Sequence, residues 1–236
     1  MPLTELSVHE VIRATPRTRY LRIDTGSTEF AYTAGQAVMV GLHGSPLRKP
    51  YSIASAPSET ARTNRIELLV QVDDSGGPDP HIERAAPGTR LDVEGPFGRF
   101  TLPAVDDDPA FLLVAGGTGI APLRSMMIEA LHRPAPPRIS LVYSARSVEE
   151  LAYRAELEAL ASSGHIALAM TVTRDDTFPW RGRRGRIDAQ LLKEALPGKS
   201  AWCLVCGPQA MIEDVTAGLS SVGVPEARVG MERFDA

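Results

Sequence analysis

A glycine-rich turn is the first segment of this chain with a clear chemical use. Gly-Gly-Thr-Gly at residues 116–119 follows an apolar run at residues 111–115 and precedes a stretch of helical composition at residues 122–133. Glycines let the backbone approach a pyrophosphate, and a helix N-terminus offers unpaired N–H groups and a positive dipole end. The spacing is not Gly-x-Gly-x-x-Gly, so the turn alone fits either a phosphate site or a tight strand-to-helix connection.

The two cysteines, Cys203 and Cys206, have a Cys-x-x-Cys spacing that invites a redox or a zinc interpretation. A thioredoxin-type pair opens a helix, whereas residues 202–206 form an apolar run typical of a buried strand, on which the two side chains diverge. A tetrahedral zinc site needs two further ligands, and a plant-type two-iron cluster needs four thiolates. We therefore expect Cys203 in the core, and Cys206 where a strand ends and sheet ligands bind.

Composition excludes several other functions. The five histidines have no metal-ligand spacing, so no metal site is predicted, and no Gly-x-Ser-x-Gly elbow points to a hydrolase. A net charge of −4 gives no basic excess for nucleic acid. No apolar run approaches the roughly 20 residues of a membrane span. Without a secretory signal pattern at the N-terminus, we expect a cytoplasmic protein.

Basic residues are concentrated in one stretch, where several arginines at residues 174–186 surround Asp175 and Asp176. A charge run of this kind is commonly a solvated loop. A local phosphate site is about as good an interpretation, because of where the stretch falls in the domain described below.

Residues 1–102 have the pattern of an antiparallel β-barrel or β-sandwich. Short β-branched or alternating runs are separated by glycine, proline and asparagine or aspartate. The predicted strands are residues 6–12, 18–23, 37–42, 51–54, 66–72 and 90–94. One short helix is predicted at residues 79–85, with Asp79 as N-cap and Pro80 as first helical residue. Residues 102–109 break the pattern as a linker.

From residue 110 strands and helices alternate. The predicted strands are residues 111–115, 139–143, 167–172 and 201–205, and the predicted helices are residues 122–133, 148–161, 189–195 and 211–220. Strands without polar alternation are covered on both faces, which predicts an α/β domain with a parallel sheet. A chain of 236 residues is long enough for two such domains, at residues 1–102 and 110–236.

Three motifs in order carry a family resemblance: Pro-Tyr-Ser at residues 50–52, Gly-Gly-Thr-Gly-Ile-Ala-Pro at residues 116–122 and Cys-Gly-Pro at residues 206–208. Their order and separation resemble the ferredoxin–NADP reductase superfamily, in its bacterial oxygenase-reductase and flavin-reductase branches. The resemblance covers residues 6–234. It implies a flavin-binding β-barrel domain followed by an NAD(P)-binding α/β domain.

The function implied is an NAD(P)H-dependent flavoprotein oxidoreductase. NADPH would deliver hydride to bound FAD, and electrons would pass to a separate acceptor, a ferredoxin or an oxygenase component. Two alternatives stay open. One is a reductase that releases reduced free flavin, and the other is a non-catalytic flavin-binding subunit of a larger electron-transfer complex.

The family's flavin segment, Arg-x-Tyr-Ser, stacks tyrosine on the flavin ring, places serine near N5 and directs arginine to the pyrophosphate. Here Lys49 takes the arginine position, and Arg48 precedes it. The alternative for Tyr51 is that it is an aromatic residue of the core. The family's second flavin segment, Gly-x-x-Ser, corresponds to residues 76–81, which contain no serine or threonine. The alternative of a loosely held flavin therefore stays open. The implied flavin, FAD rather than FMN, would contact Arg48, Lys49, Pro50, Tyr51, Ser52, Gly76, Gly77, His81 and Phe234.

NADPH-using relatives place a Ser/Thr-Arg pair at the end of the third strand and a basic residue about ten positions on, and NADH users more often present an acid at the end of the second strand. Here the pair is Thr-Arg and the second strand is followed by a basic residue, so the resemblance implies NADPH rather than NADH. The implied contacts are Gly117, Thr118, Gly119, Pro122, Arg146, Thr173, Arg174, Arg184, Cys206, Gly207 and Pro208. Ser52, Cys206 and Glu232 would act at the reacting centre, where Cys206 positions the nicotinamide and Glu232 polarises or relays protons. Phe234 would cover the flavin face, with a frayed tail as the alternative.

Overall fold

The computed structural model describes residues 3–26, 30–72, 80–104, 110–174, 180–198 and 200–234. The chain divides into two compact units. The first comprises Met1–Leu102 with Arg124–Glu129, and the second comprises Pro103–Leu123 with Ala130–Ala236. Within the described residues, no helix is long and apolar enough to cross a membrane.

The first unit contains a six-stranded antiparallel sheet that closes like a barrel. Its strands are β1 (Leu3–Thr15), β2 (Thr18–Asp24), β3 (Ala37–Leu42), β4 (Lys49–Ser52), β5 (Arg65–Gln71) and β6 (Arg90–Phe97). They pair in the order β4-β3-β6-β1-β2-β5. An antiparallel bridge between Ile53, just after β4, and Leu68 of β5 brings the two edges together.

Alternating apolar residues of these strands fill the barrel. Leu21 and Ile23 of β2, and Val38 and Val40 of β3, lie on the inner face and are fully buried. This period of two explains why the strands were predictable from sequence.

The helical segments of the first unit differ from the sequence prediction. The predicted helix at residues 79–85 is wrong: the described part is a single 3₁₀ turn, Ile82–Arg84, preceded by His81 in a left-handed conformation with φ 48°. Asp79, its predicted N-cap, lies outside the described residues. Helix α1 (Pro57–Thr63) was not predicted, and it begins at a proline whose missing N–H costs nothing there.

The described residues of the second unit form six strands, all paired in parallel. They are β7 (Ala110–Gly116), β8 (Arg138–Ala145), β9 (Ala167–Val172), β10 (Arg183–Arg184), β11 (Trp202–Pro208) and β12 (Val229–Phe234). The order is β10-β9-β8-β7-β11-β12, so β7, which is buried throughout, lies inside the sheet. The helices that alternate with these strands are α2 (Ile120–Leu131), α3 (Arg154–Ser162), α4 (Ala189–Ala195) and α5 (Gln209–Ser221). Residues Arg124–Glu129 of α2 belong to the first unit.

Three features of this unit depart from the prediction. The helix predicted from residue 148 begins only at Arg154, because Tyr153 adopts a left-handed conformation with φ 59°. Strand β11 continues through the Cys-Gly-Pro motif instead of ending before it. The C-terminal segment forms β12 along β11, a pairing that the sequence prediction did not contain.

Candidate functional site

The glycine turn follows β7 directly. Gly117–Gly119 forms a 3₁₀ turn that leads into α2 at Ile120. Gly117 has φ 55°, a backbone conformation that glycine adopts without steric cost. The hydroxyl of Tyr143, a side chain buried in β8, donates to the carbonyl oxygen of Gly117 at 3.2 Å. The turn is thus a fixed backbone feature at the helix N-terminus.

The glycine turn packs closely against the Cys-Gly-Pro segment of the neighbouring strand β11. A Cβ atom on Gly119 would stand 2.2 Å from the carbonyl oxygen of Cys206. A Cβ atom on Gly207 would stand 2.6 Å from Cε of Met211 and 3.2 Å from Cα of Gly116. Gly119 and Gly207 therefore let the turn and β11 pack closely, whereas a Cβ atom on Gly117 would meet no other atom within 4 Å. The exposed backbone at Gly117 is the part of the turn that a dinucleotide pyrophosphate could approach.

The three remaining coenzyme residues of these segments also lie at this edge of the sheet. Pro122 falls in the first turn of α2, where a proline is tolerated because its N–H would have no helical partner. Pro208 is the last residue of β11 and is exposed. Thr118 is half-buried within the 3₁₀ turn.

Cys206 lies opposite Glu232 in the parallel pairing of β11 with β12. The thiol is fully buried. Burial, followed by the nearby Glu232 carboxylate, raises the pKa of Cys206 well above its ordinary value. The group is therefore a neutral thiol at physiological pH, able to shape a site but unsuited to attack as a thiolate.

Cys203 occupies the apolar core of the second unit, and burial raises its pKa to about 12. Both cysteines are free thiols. Over the described ranges, no group of three or more His, Cys, Asp or Glu side chains is arranged to hold a metal ion.

The predicted coenzyme arginines come together at the carboxyl ends of three adjacent strands. The N–H and hydroxyl of Thr173 both donate to the carbonyl of Ala145, at 3.0 and 3.3 Å, and the N–H of Arg174 donates to the carbonyl of Arg146 at 2.8 Å. Arg184 pairs with Val172, the last residue of β9. We call Arg146, Arg174 and Arg184 the arginine cluster, and all three are exposed.

Other arginines of the same stretch have carboxylate partners. Arg183 forms an ion pair with Asp188, the N-cap of α4, and Arg186 forms one with Asp214 of α5. Asp175 and Asp176 lie outside the described residues. The stretch thus contains both structural ion pairs and exposed cations at a strand edge.

In the first unit, Lys49, Pro50, Tyr51 and Ser52 constitute β4. Ser52 is buried, Tyr51 is half-buried and packs against the barrel core, and Pro50 is exposed opposite Met39. The strand therefore presents one side of the tyrosine ring to the core.

Arg48 is committed to a structural contact. Its guanidinium donates to Asp92 at 3.3 Å, and Asp92 also binds His43 at 2.8 Å and the N–H of Gly44 at 3.1 Å. The hydrogen bond with His43 leads the contacts that hold the pKa of Asp92 below its usual value.

The second predicted flavin segment is described only from Pro80 onward. His81 Nδ1 lies 3.3 Å from Oε1 of Glu83, a carboxylate that is almost fully buried. Gly76 and Gly77 lie outside the described residues, as does the side chain of Phe234.

One contact of the flavin segment was missed from sequence. Arg124, a buried residue of α2, donates two hydrogen bonds to Glu59 at 2.9 and 3.0 Å and one to the carbonyl of Ala54 at 2.8 Å. Ser125 donates to the carbonyl of Ser55 at 2.7 Å. A charged residue in a mainly apolar helix was the available signal, since such a group is buried only when paired.

Comparisons with known proteins agree with this architecture. The model of the oxidoreductase FAD-binding domain matches residues 4–102, and that of the oxidoreductase NAD-binding domain matches residues 113–217. Ferredoxin–NADP reductase B of Sorangium cellulosum (strain So ce56) is 36% identical over 216 residues, which cover 87% of this chain and 86% of that protein. NADH-cytochrome b5 reductase 1 of Meyerozyma guilliermondii is 28% identical over 201 residues, covering 82% of this chain and 69% of that protein.

Among solved structures, the crystal structure of the Amycolatopsis cytochrome P450 reductase GcoB superposes with a TM-score of 0.84 at 27% identity, covering 99% of this chain and 70% of that one. The chain belongs to the ferredoxin–NADP reductase superfamily. It is an NAD(P)H-dependent flavoprotein oxidoreductase. The predicted barrel followed by a parallel-sheet domain is confirmed, and so are FAD and a nicotinamide dinucleotide as its cofactors.

Proposed function

We propose that this protein is a reductase that takes hydride from NADPH and passes electrons, by way of FAD, to a separate protein acceptor such as a ferredoxin or an oxygenase component. One observation carries the proposal: the glycine turn of β7, the buried thiol of β11 and the arginine cluster all lie at the carboxyl edge of one parallel sheet. Ligands of such sheets bind at that edge. Cytoplasmic location is part of the proposal.

The residues present fit a phosphorylated dinucleotide. A Cβ atom on Gly117 would meet no other atom within 4 Å, so its backbone is open to the pyrophosphate, and the N-terminus of the twelve-residue helix α2 supplies N–H groups. Arg146, Arg174 and Arg184, with Thr173, would surround the 2′-phosphate. Arginine suits this role because its planar fork binds phosphate oxygens in pairs.

Cys206 and Glu232 would act on the nicotinamide. A neutral, buried thiol limits where the ring can lie without reacting with it, and this orientation is a catalytic contribution in its own right. Glu232, its neighbour across β11 and β12, would hold or move a proton beside the ring.

For the flavin, residues 1–102 would form the binding domain. Tyr51 would stack on the ring, Ser52 would hydrogen-bond near N5, and Lys49 would meet the pyrophosphate. His81, Gly76, Gly77, Pro50 and Phe234 complete the proposed contacts. Arg48 is a weaker pyrophosphate candidate because its guanidinium already binds Asp92. Bound FAD supplies the redox chemistry, accepting hydride and releasing electrons to the acceptor.

A second candidate function is favoured by one departure from the family pattern. Lysine at position 49 offers a point charge where arginine would give two parallel hydrogen bonds. A weaker hold on the pyrophosphate suits a reductase that releases reduced flavin.

Flavin retention and an acceptor screen separate the two functions. The purified protein is passed through a desalting column, its flavin content is measured, and NADPH oxidation is followed with a ferredoxin and with free flavin as acceptors. We expect retained FAD and faster turnover with the protein acceptor. Loss of flavin together with turnover only on free flavin would establish the second function. A protein that takes up neither FAD nor FMN at micromolar concentration would contradict both.

A further inference from the structure

Trp180 lies across the start of the short strand that carries part of the arginine cluster. Its indole Nε1–H donates to the carbonyl oxygen of Arg183 at 2.9 Å. A Cβ atom on Gly182 would stand only 2.3 Å from Cζ2 of the indole. The ring therefore covers bare backbone at Gly182 and is hydrogen-bonded to the next residue along.

A second element holds the same ring. The guanidinium carbon of Arg154, the first residue of α3, lies 5.2 Å from the centroid of the Trp180 ring. Arg154 is itself oriented by a 2.7 Å hydrogen bond to Glu158, one turn along the helix. A cation over an aromatic face is attractive, so the indole is held both by its own turn and by α3.

Strand β10 needs such support because it has only two residues. Arg183 pairs with Thr171 and Arg184 with Val172. Beyond β10, the N–H of Gly185 donates to Val172 at 2.8 Å, and the hydroxyl of Thr171 donates to the carbonyl of Gly185 at 2.6 Å. The sheet contacts thus run from Arg183 to Gly185, and Trp180 adds a hydrogen bond to the carbonyl of Arg183 at their start.

We propose that Trp180 is a positioning residue that sets Arg184 against Arg146 and Arg174, and thereby determines selectivity for a 2′-phosphorylated adenine nucleotide. The inference rests on the proposed use of NADPH and names a residue outside the arginine cluster that controls it. Trp180 acts through the carbonyl of Arg183, the residue before Arg184, and the Arg184 side chain would meet the phosphate.

The chain offers a matched control, because its other tryptophan has the same kind of cation contact at the opposite edge of the sheet. Trp202 begins β11, and the guanidinium carbon of Arg228 lies 5.6 Å from its ring centroid. The strands are parallel, so the start of β11 is remote from the carboxyl edge that holds the arginine cluster.

The first test compares Trp180→Phe with Trp202→Phe, using kcat/KM for NADPH and for NADH. Phenylalanine keeps a ring for Arg154 but loses the N–H to Arg183. We expect Trp180→Phe to lower kcat/KM for NADPH roughly fivefold, which corresponds to about 1 kcal/mol. The loss should appear in KM, and kcat/KM for NADH should stay unchanged. Trp202→Phe should leave the ratio of the two coenzymes as in the parent. Equal losses for both coenzymes, or equal effects of the two variants, would overturn the proposal.

A binding measurement without turnover gives the second test. In Trp202→Phe the only tryptophan is Trp180, whose fluorescence should change on titration with adenosine 2′,5′-bisphosphate and not with 5′-AMP. Calorimetric titration of the same bisphosphate into Trp180→Phe should show affinity reduced about fivefold, the effect of one neutral hydrogen bond. Gly182→Ala, which displaces the indole, should weaken binding in the same direction.

The outcomes separate this inference from the proposed function. A parent protein that binds the bisphosphate no better than 5′-AMP contradicts the use of NADPH and, with it, the role of Trp180. A parent that discriminates strongly while Trp180→Phe and Gly182→Ala retain full affinity contradicts only the role of Trp180.

Discussion

Burial determines what the thiol of Cys206 can do. Its pKa lies well above the ordinary value because of desolvation and the Glu232 carboxylate, so the group stays protonated as pH rises through neutrality. A role in orienting the nicotinamide is compatible with that state, whereas a role as nucleophile is not.

Replacing Cys206 by alanine should slow flavin reduction on the order of 100-fold with little change in flavin affinity, because a misplaced nicotinamide loses its reactive geometry. Rapid mixing with NADPH measures the rate, and flavin fluorescence measures the affinity. The control is Cys203→Ala, the same substitution in the core, which should keep the parent rate. Traces of Cys206→Ala that match the parent would remove this residue from the site.

The neighbours Arg48 and Lys49 are expected to respond differently to substitution. Lys49→Ala should weaken FAD binding roughly tenfold through loss of a charge-assisted contact, and Lys49→Arg should retain or strengthen it. Arg48→Ala should affect flavin affinity less, and should lower the free energy of unfolding by about 1 kcal/mol because Asp92 loses one of its three hydrogen-bond partners. Flavin titration and urea unfolding give the two quantities. The reverse order of flavin affinities would place Arg48 on the pyrophosphate.

The ion pair of Glu59 and Arg124 links the start of α1 to α2, and Arg124 also donates to the carbonyl of Ala54 in the segment that follows β4. Burial alone would raise the pKa of Glu59, but its hydrogen bonds to Arg124 outweigh that effect and the pKa is lowered. A lowered carboxyl pKa stabilises the folded state above the unfolded-state pKa of about 4.3, and this contribution is lost as pH falls.

Glu59→Ala should therefore lower the free energy of unfolding by about 3 kcal/mol at pH 7, because Arg124 is left buried without its partner carboxylate. The difference from the parent should shrink as pH falls below about 4. Urea unfolding at several pH values measures it. Glu10→Gln, which removes an exposed ion pair with Arg22, should cost under about 1 kcal/mol. A Glu59 variant no less stable than this control would refute the structural role.

At the scale of strands, the carboxyl ends of β8, β9 and β10 form the proposed phosphate site. Replacing Arg174 and Arg184 together by alanine should lower kcat/KM for NADPH by roughly 100-fold or more, since each charge-assisted contact contributes about 1.5 to 3 kcal/mol. Turnover with NADH should stay nearly constant. Arg186→Ala, which removes an arginine bound to Asp214, is the control and should keep the parent ratio. If both coenzymes respond alike, the cluster is only a solvated surface.

Local patterns predicted most of the strands and helices, and the exceptions have physical causes. Strand β3 and helix α4 have the predicted bounds because their apolar spacing is regular. Strand β10 has two charged residues and no apolar pattern, so only its pairing with β9 defines it. Strand β12 likewise depends on β11. Such edge strands are set by tertiary hydrogen bonds that composition does not encode.

For the whole chain, the order of three short motifs carried more functional information than any one of them. The glycine turn was ambiguous alone, and its close packing against the Cys-Gly-Pro segment became visible only through the adjacency of β7 and β11. The sequence indicated that Arg124 needs a partner but could not identify Glu59 as that partner, because 65 residues separate the two. Motif order thus predicted the family, whereas positioning contacts needed the folded chain.

The central claim is that NADPH reduces an FAD bound to this protein. Anaerobic rapid mixing of the FAD-loaded protein with NADPH, and in a parallel experiment with NADH, tests it by following the absorbance of oxidised flavin. We expect complete loss of that absorbance with NADPH. At equal concentration the rate with NADPH should be about tenfold or more above that with NADH, the difference that one phosphate contact would provide. Flavin that stays oxidised with NADPH, or is reduced faster by NADH, would contradict it.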